Sequence, residues 1–156
     1  NMLKISSDGK KAALDLRLID STLAETKNSK ARAVSEQIYK NWLEGKEQKS
    51  TQIVFCDLST PNADRFNIYD EIKKILIEMG IPENEIDYIH NSKTDIQKTK
   101  TFQKVRDGEI RVFLGSTSKM GAGTNIQDIL KVLHHIDAPW RPSDIEQRER
   151  KNIKAR

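Results

Sequence analysis

The sequence has few of the residues that stabilise small secreted domains or build metal clusters. Its 156 residues include one cysteine, Cys56, which excludes an internal disulfide and a cysteine-based zinc cluster. No stretch approaches the ~18 consecutive apolar residues of a membrane-spanning helix. The first residues, Asn1 to Lys4, also lack the apolar run of a secretory signal. These absences predict a cytoplasmic protein with no metal site and no membrane partner.

Charge of one sign is not in large excess either. The chain carries 27 basic and 23 acidic residues, a formal net charge of +4. A mildly basic balance is compatible with a polyanionic partner such as a nucleic acid, but many soluble proteins share it. Charge alone therefore assigns no function.

The length of the chain fits one domain of ordinary size. Asn1 before Met2 is interpreted as the remnant of an expression tag. Residues 1–28 are polar and mixed, and they are interpreted as a connector from an upstream region, with one short helix predicted over Lys11–Ile19. The domain itself is predicted over residues 29–156.

Residues 29–156 alternate between helical and strand patterns. Helices are predicted at Ser29–Glu44, Phe66–Met79, Asp95–Arg106 and from Ser143 onwards, and strands at Gln52–Leu58, Ile86–His90, Ile110–Gly115 and Leu130–Ile136. This alternation predicts a parallel sheet with helices on both faces. Continuous apolar runs such as Ile53-Val54-Phe55 are typical of strands that are covered on both sides. The predicted fold class is therefore α/β, a three-layer α/β/α sandwich with a mainly parallel sheet.

Polar residues lie at the carboxyl ends of the predicted strands or directly after them. They are Asp57, Ser59 and Thr60 for the first strand, His90, Asn91 and Ser92 for the second, Ser116 and Thr117 for the third, and Asp137 for the fourth. Function collects at the carboxyl ends of the strands in such sheets, and short hydroxyls and backbone amides suit phosphate oxygens. Strand ends are also polar simply because they reach the surface, so each loop taken alone is weak support.

The stretch Gly115–Gln127 is predicted to be a glycine-containing loop. Gly121 and Gly123 allow close approach of the backbone to a ligand. The stretch lacks the Lys-Ser/Thr ending of a P-loop, so it is not a Walker A motif.

Three segments, in the same order along the chain, resemble conserved motifs of superfamily-two helicases, especially the Swi/Snf-like branch. Val112–Asn125 is similar to motif V, Gln52–Leu58 is similar to motif IV, and Leu133–Pro142 with Ile145–Glu149 looks like the approach to motif VI. The resemblance covers roughly Ser29 to Arg156. Lys119–Asn125 together with His134-His135 resembles the helicase regions of large DNA methylase–helicase proteins of bacterial mobile elements.

The resemblance implies the second, C-terminal RecA-like lobe of an ATP-dependent helicase or translocase that moves on DNA. In that family the first lobe carries the P-loop and the acidic magnesium motif, and the P-loop pattern G-x-x-x-x-G-K-[ST] is missing from this sequence. ATP and Mg²⁺ would then be bound mainly by a first lobe elsewhere in the polypeptide. The expected partners are DNA and that first lobe, no cofactor is expected in this lobe alone, and the isolated lobe is expected to be inactive as an ATP hydrolase.

Roles for individual residues follow from the same resemblance. DNA contacts are implied for Asp57, Ser59, Thr60, Ser116 and Thr117, and nucleotide binding for Gly121, Gly123, Thr124 and Asn125. Catalytic positions facing the ATP phosphates are implied for Gln147, Arg148, Lys151 and Lys154.

The sequence departs from the family at motif VI, where Lys151 and Lys154 stand in place of arginines and Arg150 in place of a preferred glycine. An arginine finger contributes roughly 10³–10⁵ in rate, and lysine does not reproduce its planar fork. The alternative to a working motor lobe is therefore a degenerate, non-hydrolysing module that binds nucleic acid or docks a partner. Basic residues at a helix end are also common without a catalytic role. A receiver-like signalling domain is disfavoured because Asp57 has no acidic neighbour.

Overall fold

The computed structural model describes residues 9–25, 29–120 and 130–136. Residues 9–14 are helical. The helices that follow are α1 (Lys30–Glu44), α2 (Ile68–Met79), α3 (Asp95–Arg106) and α4 (Thr117–Met120). The strands are β1 (Thr51–Phe55), β2 (Ile86–Tyr88), β3 (Val112–Gly115) and β4 (Leu130–His135). Short 3₁₀ turns lie at Leu16–Leu18, Glu83–Glu85 and Ile89–Asn91. The helix predicted from Ser143 onwards lies outside the described residues.

The sheet is parallel in every described pair, with the strand order β2-β3-β1-β4. Ile53 in β1 is aligned with Phe113 in β3 on one side and with Leu133 in β4 on the other. Because β1 lies between two strands that follow it in the sequence, its carboxyl end has a neighbouring strand end on each side.

Both faces of the sheet are covered, which confirms the three-layer α/β fold. Val54 and Leu114 point to a core shared with α1 and α2, where Ile38 and Ile72 are fully buried. The second core, on the opposite face, consists of Ile53, Phe55, Ile89, Phe102, Val105, Ile110, Phe113 and Met120. Neighbouring residues of β1 alternate between the two cores, as the period of a strand requires.

Several element boundaries follow from capping chemistry. Thr94 accepts a hydrogen bond from the Gln97 amide while the Gln97 side chain returns to the Thr94 amide, so the predicted start of α3 is a capping box. Helix α2 begins at Ile68 rather than at Phe66, because the Asn67 side chain accepts from the Asp70 amide and is the N-cap.

Two predicted strands end earlier in the structure, and the predicted glycine-containing loop begins with a helical turn. Strand β1 ends at Phe55, and β2 ends at Tyr88 because Ile89–Asn91 forms a 3₁₀ turn. The stretch from Gly115 does not begin as a loop, since Ser116 O accepts from the Met120 amide at 3.0 Å and closes the turn of α4. The prediction of a loop was wrong for Thr117–Met120, which form one helical turn. Their polar composition gives no sign of a helix.

The segment predicted as a connector packs onto the domain where it is described. Residues 9–14 are helical, and the Asp15 side chain then caps the 3₁₀ turn Leu16–Leu18. Leu14 joins the core beside α1 and α2. The Arg17 guanidinium lies between Asp15, at 2.7 Å, and Glu71 of α2, at 3.2 Å. This segment is thus held to the domain by apolar burial and by a buried ionic cluster.

Candidate functional site

The carboxyl ends of the four strands lie on one edge of the sheet, because all described pairs are parallel. Backbone hydrogen bonds join adjacent strand ends beyond the strands themselves. The Cys56 amide donates to Gly115 O at 3.1 Å, and the Ile136 amide donates to Phe55 O at 3.2 Å. The edge is therefore a fixed platform that carries polar residues from β1, β2 and β3.

Asp57 and Thr117 meet directly at this edge, although they are 60 positions apart in the sequence. The Thr117 amide donates to Asp57 Oδ1 at 2.7 Å, and the Thr117 hydroxyl donates to Asp57 Oδ2 at 2.8 Å. The structure thus brings together two of the residues for which the sequence predicts DNA contact, and it joins the segments that resemble motifs IV and V.

The other predicted DNA-contacting residues have different surroundings. Ser116 is buried, and its hydroxyl lies 3.4 Å from the Lys119 amide, so it caps α4. Ser59 is also buried, and its hydroxyl accepts from the Ile68 amide at 2.9 Å at the start of α2. Thr60 is exposed. Of these three side chains, Thr60 has the solvent access that a contact with a nucleic-acid backbone requires.

Basic side chains surround the end of β2. The His90 ring packs edge-on against Tyr69, with the ring centroids 5.2 Å apart. Burial lowers the pKa of His90, and the charges of Lys119 and Lys93 lower it further. Both lysines are exposed and have no ion pair with any residue in the described ranges.

Lys93 and Lys119 are not among the site residues that the sequence predicts. The turn Ile89–Asn91 and helix α4 are in contact. Both pack closely against Gly115 at the end of β3: a Cβ added there would lie 2.7 Å from Ile89 Cγ2 and 2.6 Å from Met120 Cε. The sequence signal for both lysines is their position within a few residues of a strand end. The edge therefore carries two positive charges near His90, one of them on the helix that begins at Thr117.

The residues predicted to bind nucleotide, Gly121, Gly123, Thr124 and Asn125, lie outside the described residues. The predicted catalytic residues Gln147, Arg148, Lys151 and Lys154 also lie outside them. Their roles stay predictions. No group of three or more His, Cys, Asp or Glu side chains with the spacing of a metal site occurs in the described part of the chain.

A cavity of about 670 Å³ lies at the opposite, amino-terminal edge of the sheet. Its lining includes Lys46, Lys49 and Trp42, whose Nε1 donates to Glu85 at 2.9 Å. Arg111 donates to the carbonyls of Trp42 and Ser50, and burial lowers its pKa. Trp42 and Arg111 thus use their polar groups in hydrogen bonds within the domain, which stabilise this edge of the sheet.

A parallel sheet with helices on both faces and a polar edge at its strand ends fits a RecA-like α/β lobe. Residues 29–153 match the helicase conserved C-terminal domain, and the chain belongs to that family. The fold is similar to the crystal structure of the Pyrococcus furiosus Hef helicase domain, with a TM-score of 0.53 and 19% sequence identity. That similarity covers 97% of this chain and 28% of the Hef chain, and at this identity it concerns the fold alone.

No curated protein matches the chain. Within the described ranges, no helix has the length and apolar character needed to cross a bilayer. The family match identifies the chain as a helicase-type C-terminal lobe. It corresponds to 28% of the length of the Hef chain.

Proposed function

We propose that this chain is the C-terminal motor lobe of an ATP-dependent DNA helicase or translocase. In this proposal the carboxyl edge of its sheet contacts the DNA backbone, and the lobe closes over ATP that is held mainly by a first lobe of the same polypeptide. The observation that carries the proposal is the contact between Asp57 and Thr117 within a domain of the helicase family, because it brings the two motif segments to one surface.

The electrostatics of the edge support an interaction with the DNA backbone. Lys93 and Lys119 both lie near His90 at the end of β2, and Lys119 is on α4 with Thr117. Neither has an ion-pair partner among the described residues. Lysines that approach phosphates displace condensed counterions, which is the main source of sequence-independent affinity for DNA. A motor that moves along DNA needs interactions of this kind, since they do not depend on base sequence.

The first test is the salt dependence of DNA binding. We expect the chain to bind labelled oligonucleotides, and we expect Lys93→Ala with Lys119→Ala to weaken binding. The slope of log K against log salt should fall by about 0.9 for each phosphate that is no longer neutralised on duplex DNA, or by about 0.7 on single strands. Lys46→Ala with Lys49→Ala removes the same charge at the opposite edge and is the matched control. An equal weakening by both pairs of substitutions would argue against a phosphate-binding edge.

The second candidate function is a lobe that binds DNA or docks a partner without supporting hydrolysis. Lys151 and Lys154, at positions where the family has arginine, favour it. The discriminating experiment restores arginine at both positions in the longer protein that carries the first lobe, and it measures DNA-stimulated ATP hydrolysis. A rise in rate is expected if these positions face the ATP phosphates. An unchanged, measurable rate would contradict that role. The chain alone is expected to show no turnover, because it lacks the P-loop.

A further inference from the structure

Asp57 is the acidic side chain at the centre of the proposed DNA-binding edge. It is exposed, and its ionised carboxylate can only accept hydrogen bonds. A DNA phosphate is likewise an anionic acceptor, so the two groups repel each other and compete for the same donors. Direct contact between Asp57 and the DNA backbone, which the motif resemblance implies, is therefore unfavourable.

Thr117 has two hydrogen-bond donors, its amide and its hydroxyl. Both are directed at Asp57, one to each carboxylate oxygen, at 2.7 and 2.8 Å. Two oxygens of a phosphate would need the same pair of donors in the same forked arrangement. While this contact persists, Thr117 has no donor left for a phosphate.

We propose that Asp57 occupies the place of a DNA phosphate on Thr117, and that binding of the DNA backbone displaces it. This inference rests on the proposed function, and it makes Asp57 a positioning residue that sets the affinity for DNA. In the absence of DNA, the carboxylate accepts from both donors of Thr117. In the bound state a phosphate takes both donors, and Asp57 turns to solvent.

The surrounding hydrogen bonds allow this exchange while the edge stays intact. The Cys56 amide is bonded to Gly115 O, so the ends of β1 and β3 stay joined when the carboxylate leaves. The turn of α4 is closed by Ser116 O and capped by the Ser116 hydroxyl, both independently of Asp57. Lys93 and Lys119 supply a positive field at this edge that attracts the polyanionic DNA backbone from solvent.

The test compares the affinities of the parent chain, Asp57→Asn and Asp57→Ala for labelled single-stranded and duplex oligonucleotides over a range of salt concentrations. Both variants are expected to bind more tightly than the parent, by roughly fivefold to tenfold, because Asp57→Ala removes the competing acceptor and Asp57→Asn leaves a single uncharged, weaker one. Glu109→Gln is the matched control, since it removes one negative charge from an exposed position before β3, at the opposite edge. Its affinity should stay near that of the parent.

A double-mutant cycle separates competition at Thr117 from a general effect of charge. Thr117→Val removes the hydroxyl and leaves the amide, so in that background Asp57→Asn should increase the affinity less than it does in the parent. An equal increase in both backgrounds would overturn the inference. A structural readout without DNA is the hydrogen exchange of the Thr117 amide, which should become faster in Asp57→Ala.

Failure of this inference is distinguishable from failure of the proposed function. If the parent binds DNA with the expected salt dependence and the Asp57 variants bind equally or more weakly, the competition is wrong while the DNA-binding edge stands. If neither the parent nor the Asp57 variants bind either oligonucleotide, both are overturned. Binding that is detectable only in the Asp57 variants supports both.

Discussion

Arg17→Ala is expected to lower the free energy of unfolding by about 3–5 kcal/mol, the usual cost of removing one partner from a buried ionic cluster. The Arg17 guanidinium forms a bidentate contact with Asp15, at 3.0 and 2.7 Å, and lies 3.2 Å from Glu71. The side chains of Asp15 and Glu71 are 4% and 6% exposed, so both carboxylates would stay buried without a counterion. Arg17 also stacks over the Phe66 ring at 4.3 Å, and the substitution removes this packing as well.

The measurement is chemical denaturation of the parent and the variant, compared through the midpoint and the slope. Arg32→Ala is the matched control, because Arg32 pairs with Glu25 at 3.0 Å while the side chains are 33% and 26% exposed. A pair with that much solvent access contributes up to about 1 kcal/mol. A destabilisation by Arg17→Ala no larger than that by Arg32→Ala would contradict a structural role for residues 14–18 in this domain.

The stability of the chain is expected to fall as the pH is lowered from about 6.5 to about 4, and His134 is the main cause. Burial, together with the neighbouring charge of His135, lowers the pKa of His134 to about 4. In the unfolded chain the pKa of histidine is about 6.5, so protons bind the unfolded state first in this range. The stability that depends on neutral His134 is complete above the unfolded pKa and disappears as the pH falls to the folded one. Its size is about 3 kcal/mol.

His134→Gln should remove most of this dependence. The His134 Nε2 lies 2.8 Å from Gln52 Oε1, which also accepts from Asn41 at 3.1 Å, and a glutamine amide can still donate there. Unfolding free energies of the parent and the variant, measured across that pH range, should agree most closely near pH 6.5 and diverge toward the acidic end, where the parent loses stability and the variant does not. His90, whose pKa is also lowered, leaves a smaller slope of the same sign in both proteins. An unchanged slope in His134→Gln would assign the effect to other groups.

The fold was predictable from the sequence because its signals are local. The alternation of element types predicts a parallel sheet with two covered faces, and the pair Thr94 and Gln97, at N-cap and N3, indicates that α3 begins at Asp95. The histidines of β4 have no cysteine or acidic partners at ligand spacing, which favours a structural role. His134 bonds to Gln52 and His135 stacks on Phe55 at 5.3 Å, in agreement with that interpretation.

The contacts that build the candidate site were harder to predict from the sequence. Strand order depends on pairings between distant segments, and no local pattern encodes it. Asp57 and Thr117 each follow a predicted strand as polar residues, but their pairing requires β1 and β3 to be neighbours in register. The contact of Arg17 with Glu71 likewise joins a segment that looks like a linker to a distant helix, and neither sequence context indicates the other.

The single cysteine of the chain is shielded from reagents. Cys56 follows β1 directly and is 1% exposed, so thiol-modifying compounds reach it only when the protein opens. A cysteine introduced at the exposed position of Thr60 would be the one accessible thiol of the folded chain. A fluorophore attached there would report a change of environment at this edge when DNA is added, with the natural cysteine left in place.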